Sequence, residues 1–199
     1  MWGADLRGAG VRGALLSALL FAAACSGESP ELERLFRVPD FELVDQAGEP
    51  FAVRDLDGQV WVASFLFTSC SGTCPTLAAQ LGNLQSRLAG LRGRVRIVSL
   101  TVDPEHDEPA ALRRYGERFG ADPALWTFLT GDPDTVRTVL RTAFLQPDPA
   151  RREIESAPGY DVFHGTSVLL VDRNRSCRGV FPLGGDGMDT LVAAIERLL

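Results

Sequence analysis

The chain has 199 residues, of which 45% are hydrophobic and 23% charged; this composition excludes a disordered chain and suits one domain with one hydrophobic core. Its 20 basic residues are all arginine and are outnumbered by 26 acidic residues, so the net charge of -6 argues against nucleic-acid binding. Only two histidines and four cysteines are available for a metal or redox site.

The first 25 residues have the features of an export signal. Arg7 and Arg12 precede an apolar run, Ala14–Ala24, that suits a signal peptide and is shorter than the roughly 20 residues needed to span a bilayer. The small residues that lead into Cys25 resemble the lipobox of bacterial lipoproteins. We therefore predict an exported, lipid-anchored protein in the periplasm or on the outer face of the bacterial cell membrane, with plain secretion or an uncleaved anchor as alternatives. Residues 26–39 lack periodicity and are predicted to be a tether.

The remaining residues, 40–199, alternate patterns typical of strands with patterns typical of helices. Runs of β-branched and aromatic residues predict buried strands, and apolar residues at spacings of three and four predict helices. The predicted elements are a hairpin (41–44 and 50–53), strands at 59–67, 95–102, 126–129, 166–171 and 177–181, and helices at 75–91, 109–119, 133–144 and 189–199. The segment 146–160 is rich in proline and charge and is predicted to be a loop. This order predicts an α/β fold with a mixed central sheet.

Cys70 and Cys74 lie where the predicted strand 59–67 leads through a short loop into the predicted helix 75–91. The positive end of a helix dipole stabilises thiolates, which makes both cysteines better metal ligands and better nucleophiles. Cysteines at this spacing can share one metal ion or form one disulfide. A purely structural disulfide is disfavoured because so small a loop would constrain the unfolded chain little.

A metal bound by two thiolates needs a further ligand, and the two histidines are the candidates. His164 directly precedes the predicted strand 166–171, where loops at strand ends meet across a sheet, whereas His106 lies in an acidic loop and is predicted to be exposed. Two soft thiolates and one imidazole suit copper, with zinc as the second choice. The set is one ligand short of a structural zinc site.

Four other residues are candidates for a functional role. Asp103, Glu105 and Asp107 form either a site for a hard metal ion or, as we favour, acidic residues that stabilise the start of the helix at Pro109. Cys177 stands alone in a predicted strand and is predicted to be an inert thiol.

Three segments together resemble the Sco/SenC proteins, a family of thioredoxin-fold copper chaperones. These are Phe65–Thr76 (FLFTSCSGTCPT), Thr101–Pro109 (TVDPEHDEP) and His164 ahead of a strand. The resemblance implies a thioredoxin-like fold whose mixed sheet is flanked by helices and preceded by a β-hairpin. It also implies that Cys70, Cys74 and His164 bind copper, with Asp103 close to the metal but not a ligand.

The resemblance further implies a function, which is delivery of copper to the binuclear copper site of cytochrome c oxidase subunit II or reduction of its cysteines. The residues favour a metallochaperone over an enzyme, because a site with few ligands releases copper by ligand exchange. The alternative is a thiol-disulfide oxidoreductase or redox sensor in which one of Cys70 and Cys74 attacks a partner disulfide and the other resolves the intermediate. The segment Ser71–Thr73 and Phe163 depart from the sequences common in the family.

Overall fold

A mixed sheet of eight strands runs through the described part of the chain, which in this computed structural model comprises residues 32–146, 151–153, 160–162 and 167–199. The strands are β1 (Phe36–Arg37), β2 (Glu42–Asp45), β3 (Pro50–Ala52), β4 (Val60–Leu66), β5 (Val95–Thr101), β6 (Trp126–Thr130), β9 (Ser167–Val171) and β10 (Ser176–Pro182). Two further strands, β7 (Arg151–Glu153) and β8 (Tyr160–Val162), pair with each other. The helices are α1 (Cys74–Arg87), α2 (Pro109–Arg118), α3 (Pro133–Ala143) and α4 (Gly187–Leu198).

The strand order across the large sheet is β1-β10-β9-β4-β5-β6-β2-β3. Strands β4, β5 and β6 are parallel to one another, whereas β9, β10 and the hairpin of β2 and β3 pair in antiparallel fashion. This arrangement confirms the predicted α/β fold with a mixed central sheet and an N-terminal hairpin.

Strand β4 lies at the centre of the sheet, and all seven of its residues are buried. It pairs in register with β5 along its whole length. The polar residue in β4 is Ser64, whose hydroxyl is 2.7 Å from that of Ser99 on β5, and Ser99 also accepts a hydrogen bond from the Trp126 indole. These bonds satisfy polar groups that burial would otherwise penalise. The prediction of a strand buried between two layers is confirmed.

The helices follow the predicted apolar spacing, with small differences at their ends. Helix α1 buries Leu77, Leu81 and Leu84 and begins at Cys74, one residue earlier than predicted. It ends at Arg87, after which a short 3-10 turn continues to Leu91, so the predicted helix 75–91 is two elements. As predicted, Asp132 caps α3, because its carboxylate accepts a hydrogen bond from the Thr135 amide.

Two predictions about irregular segments need correction. The segment 146–160 was predicted to be a loop, yet it contains β7 and the first residue of β8. Strands of three residues are too short to show the alternation of apolar and polar residues that is typical of a strand. The charged residues and prolines of the segment therefore predicted a loop. Likewise β1 lies within the predicted tether 26–39, where it pairs with β10 and where Val38 is fully buried.

Candidate metal centre

The parallel pairing of β4 and β5 brings two loops to the same edge of the sheet. Both strands end there, and the Val102 amide donates a 2.9 Å hydrogen bond to the Leu66 carbonyl just beyond the paired residues. The loop after β4, residues 67–73, carries Cys70 and leads into Cys74, the first residue of α1; we call it the cysteine loop. The loop after β5 carries the acidic segment 103–108. Residues about 35 positions apart in the sequence therefore meet at one site.

Cys70 and Cys74 lie together beneath an exposed surface loop. The Cys70 side chain is 7% exposed and that of Cys74 is fully buried, whereas Ser71, Gly72 and Thr73 between them are exposed. The Cys74 amide, at the first position of α1, donates a hydrogen bond to the Cys70 sulfur at 3.4 Å. This amide is one of the N-terminal helix donors that lack a backbone acceptor, so it favours negative charge on the sulfur. The structure thus places Cys70 and Cys74 at a helix N-terminus, as the sequence predicted.

Tyr115 on α2 forms one wall of the cysteine site. Its hydroxyl donates a 3.2 Å hydrogen bond to the Cys74 carbonyl, and its side chain is 1% exposed. Burial raises the pKa of Tyr115, and nearby Cys74 and Cys70 raise it further because their thiolates would repel a phenolate. The phenol therefore keeps its proton and remains a hydrogen-bond donor to the first turn of α1.

Asp107 joins the two loops through a set of buried hydrogen bonds. Its carboxylate accepts from the Thr68 amide at 3.1 and 3.2 Å and from the hydroxyls of Thr68 and Thr101, both at 2.6 Å. Asp107 is completely buried, and burial raises its pKa, although the hydrogen bonds from Thr101 and Thr68 act in the opposite direction. Thr68 lies two residues before Cys70, so Asp107 fixes the start of the cysteine loop.

Asp103, Glu105 and His106 form a second cluster, whose ligand atoms lie within 4.8 Å of one another. Asp103 is 2% exposed and lies 3.2 Å from the His106 ring, while Glu105 forms an ion pair with Arg137 on α3. His106 is exposed, as predicted. Glu108, the residue before α2, makes no side-chain cap, so the predicted stabilisation of the helix start does not include a capping hydrogen bond.

The structure leaves part of the predicted site undescribed. His164, Phe163 and Cys25 lie outside the described residues, so their predicted roles remain predictions. Cys177 is fully buried on β10, and burial raises its pKa, which agrees with the predicted inert thiol. Sequence reasoning missed Tyr115 altogether. The available signal was its place on the apolar face of α2, since a buried tyrosine needs a partner for its hydroxyl.

No helix within the described ranges is both long enough and apolar enough to cross a lipid bilayer. The predicted export signal, residues 1–25, lies outside those ranges.

Comparison with known proteins gives consistent results for most of the chain. The family model SCO1/SenC matches residues 30–199. A "SCO1 protein homolog" of Bacillus subtilis (strain 168) is 36% identical over 112 residues, which cover 56% of this chain and 58% of that protein, less than two thirds of its length. A "putative copper-binding protein" of Stutzerimonas stutzeri is 31% identical over 167 residues, covering 82% of this chain and 79% of that protein.

Solved structures show the same fold. A SCO1/SenC family lipoprotein from Bacillus anthracis str. Ames matches with a TM-score of 0.72 at 29% identity, covering 83% of this chain and 97% of that one. BsSco, described as a member of the Sco family of cytochrome c oxidase assembly proteins with a disulfide switch, matches with a TM-score of 0.69 at 27% identity, covering 82% and 94%. The copper-bound ScoI of Bradyrhizobium japonicum, at 24% identity and a TM-score of 0.71, covers 82% and 100% and supports the fold. The chain therefore belongs to the SCO1/SenC family.

Proposed function

We propose that this chain is a metallochaperone that binds copper through the Cys70 and Cys74 thiolates and the His164 imidazole. The observation that carries the proposal is the placement of two buried cysteines at the N-terminus of α1, where the Cys74 amide donates a hydrogen bond to the Cys70 sulfur. Thiolate and imidazole ligands together suit copper best among the common metals. Three protein ligands leave copper open to attack by the ligands of an acceptor, which permits transfer by ligand exchange.

The relatives support copper as the cargo. The Stutzerimonas stutzeri protein is described as a putative copper-binding protein, and BsSco belongs to a family described as cytochrome c oxidase assembly proteins. By this proposal the acceptor is the binuclear copper site of cytochrome c oxidase subunit II. Asp103, buried at the same sheet edge, would lie near the copper without binding it.

The site of action in this proposal is the outer face of a bacterial cell membrane. The chain would be exported and anchored by lipid on Cys25, and residues that follow Cys25 would connect the anchor to the domain. Support comes from the signal-like N-terminal sequence and from the Bacillus anthracis relative, which is described as a lipoprotein.

A second candidate function is thiol-disulfide exchange by the same two cysteines. The observation that favours it is the amide hydrogen bond to Cys70, since a stabilised thiolate is also the nucleophile of disulfide exchange. The description of BsSco as having a disulfide switch points in the same direction. The two functions are compatible, because oxidation of Cys70 and Cys74 to a disulfide would remove both thiolate ligands.

The proposal is tested by copper titration of the reduced, metal-free full chain in neutral detergent, followed by desalting and metal analysis. We expect about one copper per chain for the wild type, and large losses for Cys70→Ala, Cys74→Ala and His164→Ala. Cys177→Ala and His106→Ala are the matched controls, because each removes another thiol or imidazole outside the proposed ligand set; both should bind copper as the wild type does.

Failure of the wild type to retain copper, or full binding by His164→Ala, would overturn the proposed ligand set. In the first case the reduced chain should be assayed for reduction of a protein disulfide, with Cys70→Ala and Cys74→Ala as the inactive variants. Reduction of the disulfide without copper retention would establish the second candidate function instead of the first.

A further inference from the structure

A cleft of about 600 Å³ opens beside the cysteine site. It lies between α2 and Thr68, which is near the start of the cysteine loop. The residues that line it are Thr68, Ala111, Arg114, Tyr115, Glu117 and Arg118. Two of these touch the site directly, because Thr68 is held by Asp107 two residues before Cys70, and Tyr115 donates its hydrogen bond to Cys74. A molecule in this cleft would therefore lie next to the cysteine loop and the first turn of α1, which carry Cys70 and Cys74.

The cleft is positively charged in a chain that is acidic as a whole. Its lining contains Arg114 and Arg118 against one acidic residue, Glu117, so the formal charge of the lining is +1, whereas the whole chain has -6. Arg114 and Arg118 both line the cleft and both are exposed. A local excess of positive charge on an acidic protein attracts an acidic ligand to that place.

The two arginines are arranged differently. Arg114 makes no ion pair or hydrogen bond with other residues in the described part of the chain, so its guanidinium is available to a ligand. The Arg118 guanidinium lies over the Tyr115 ring, 5.1 Å from the ring centroid. This cation–π contact restrains Arg118 at the rim of the cleft without using its hydrogen-bond donors on another acidic group. Guanidinium groups bind carboxylates through paired hydrogen bonds.

We propose that this cleft binds the carboxylate side chains of an acidic segment in the protein that exchanges copper or a disulfide with Cys70 and Cys74. The inference deepens the proposed function and rests on it, since it names the chemistry of the partner for the same site. Arg114 and Arg118 hold the acidic segment, and the Tyr115 hydrogen bond sets α2 against the first turn of α1. The partner's reacting sulfur or metal ligand is thereby delivered beside the cysteine loop.

The test uses two synthetic peptides that each contain one cysteine, flanked by four glutamates in one and by four glutamines in the other. Each peptide cysteine is joined in a mixed disulfide to thionitrobenzoate. Every chain carries Cys25→Ala, so that the thiol of Cys25 does not contribute. A thiolate of the reduced full chain attacks the peptide sulfur, forms a new protein–peptide disulfide and releases the coloured thionitrobenzoate anion. The measured quantity is the rate with the glutamate peptide divided by the rate with the glutamine peptide, which cancels differences in intrinsic thiol reactivity.

We expect this ratio to exceed one for the wild type at low salt, despite the acidic chain, and to fall about threefold to tenfold in Arg114→Gln/Arg118→Gln. The matched control is Arg94→Gln/Arg173→Gln, which removes the same charge from the sheet edge where β4 begins; there both side chains bond the Leu199 carbonyl. The control should keep the wild-type ratio. Raising the salt concentration toward 1 M, where the Debye length is about 3 Å, should bring the wild-type ratio toward that of the cleft variant, Arg114→Gln/Arg118→Gln.

A wild-type ratio of one or less, an unchanged ratio in the cleft variant, or an equal fall in the control would each overturn the proposal. Copper titration of the wild type separates this failure from failure of the proposed function. A chain that retains copper but shows no glutamate preference has the proposed function without the acidic-partner cleft. A chain that prefers the glutamate peptide but retains no copper has the cleft and serves thiol exchange only.

Discussion

Replacement of Asp107 by alanine should destabilise the fold and weaken copper binding together. The substitution removes the acceptor of the Thr68 amide, the Thr68 hydroxyl and the Thr101 hydroxyl. A buried donor left without a partner costs about 1–3 kcal/mol. Thr68 is partly exposed and the hydroxyls can turn, so we expect the free energy of unfolding to fall by about 2–4 kcal/mol. The raised pKa of Asp107 shows that burial of its charge already offsets part of what the hydrogen bonds contribute.

The effect on copper follows from the position of Thr68. Without Asp107 the start of the cysteine loop loses its attachment to β5, so ordering Cys70 for copper costs more free energy. We expect copper affinity to fall about tenfold or more, equivalent to about 1.4 kcal/mol. Stability is measured by urea unfolding of the full chain at pH 7, and copper affinity by competition with a Cu(I) chelator. Asp107→Asn keeps one carbonyl acceptor and should show intermediate losses in both measurements.

Asp172 provides the matched control for this prediction. It is also a buried aspartate with several hydrogen bonds, but it follows β9 at the sheet edge where β4 begins, opposite Cys70. Asp172→Ala should reduce stability without changing copper affinity. The reasoning would be refuted if Asp107→Ala changed the unfolding free energy by less than about 0.5 kcal/mol. It would equally be refuted if both variants lost stability but neither lost copper affinity. The same holds if both variants lost copper affinity to the same extent.

Three other predictions concern stability and reactivity. Burial alone would raise the pKa of Asp172, but hydrogen bonds from the Ser176 amide, Arg178 and the Asn174 amide outweigh it and lower the pKa below 3.8. The stabilisation by Asp172 should therefore be complete above about pH 5 and be lost as the pH falls below 3.8. In urea unfolding, the difference in unfolding free energy between wild type and Asp172→Asn should shrink as the pH falls over that range. A difference that stays constant with pH would contradict this prediction. Gly187→Ala should lower the unfolding free energy by about 2 kcal/mol or more, because the new Cβ would lie 1.9 Å from the Pro182 carbonyl oxygen. Gly184→Ala is the control: its Cβ would meet nothing within 4 Å, so the unfolding free energy should not change in the same assay. Cys177 should react with a thiol reagent at neutral pH only after unfolding, because it is fully buried and burial raises its pKa; rapid labelling of the native Cys25→Ala/Cys70→Ala/Cys74→Ala variant would show otherwise.

The elements that position the cysteines were predictable because their signals are local. Strand β4 is a run of apolar and β-branched residues, and α1 shows leucines at helical spacing after Pro75. Cys70 lies in the loop between them and Cys74 is the first residue of α1, so the placement of two thiols at a helix N-terminus followed from neighbouring residues in the sequence. The same reasoning predicted the Asp132 cap of α3.

The contacts that shape the site were not predictable, because they join residues far apart in the sequence. Asp107 meets Thr68 across 39 residues and Tyr115 meets Cys74 across 41, so both contacts depend on how β5 and α2 are placed beside β4. From its sequence neighbours, Asp107 was predicted to stabilise the start of a helix or to belong to a site for a hard metal ion. Its actual partners are the ends of two adjacent parallel strands, and only the pairing of β4 with β5 brings them together.

The most direct test of the central claim is X-ray absorption at the copper edge, measured on the Cu(I)-loaded full chain. We expect the spectrum to show two sulfur ligands and one imidazole nitrogen on each copper. Cys70→Ala should lose sulfur scattering and His164→Ala should lose the imidazole signal, while Cys177→Ala and His106→Ala leave the spectrum unchanged. Copper bound by oxygen and nitrogen alone, or sulfur scattering that disappears in Cys177→Ala, would contradict the proposed centre.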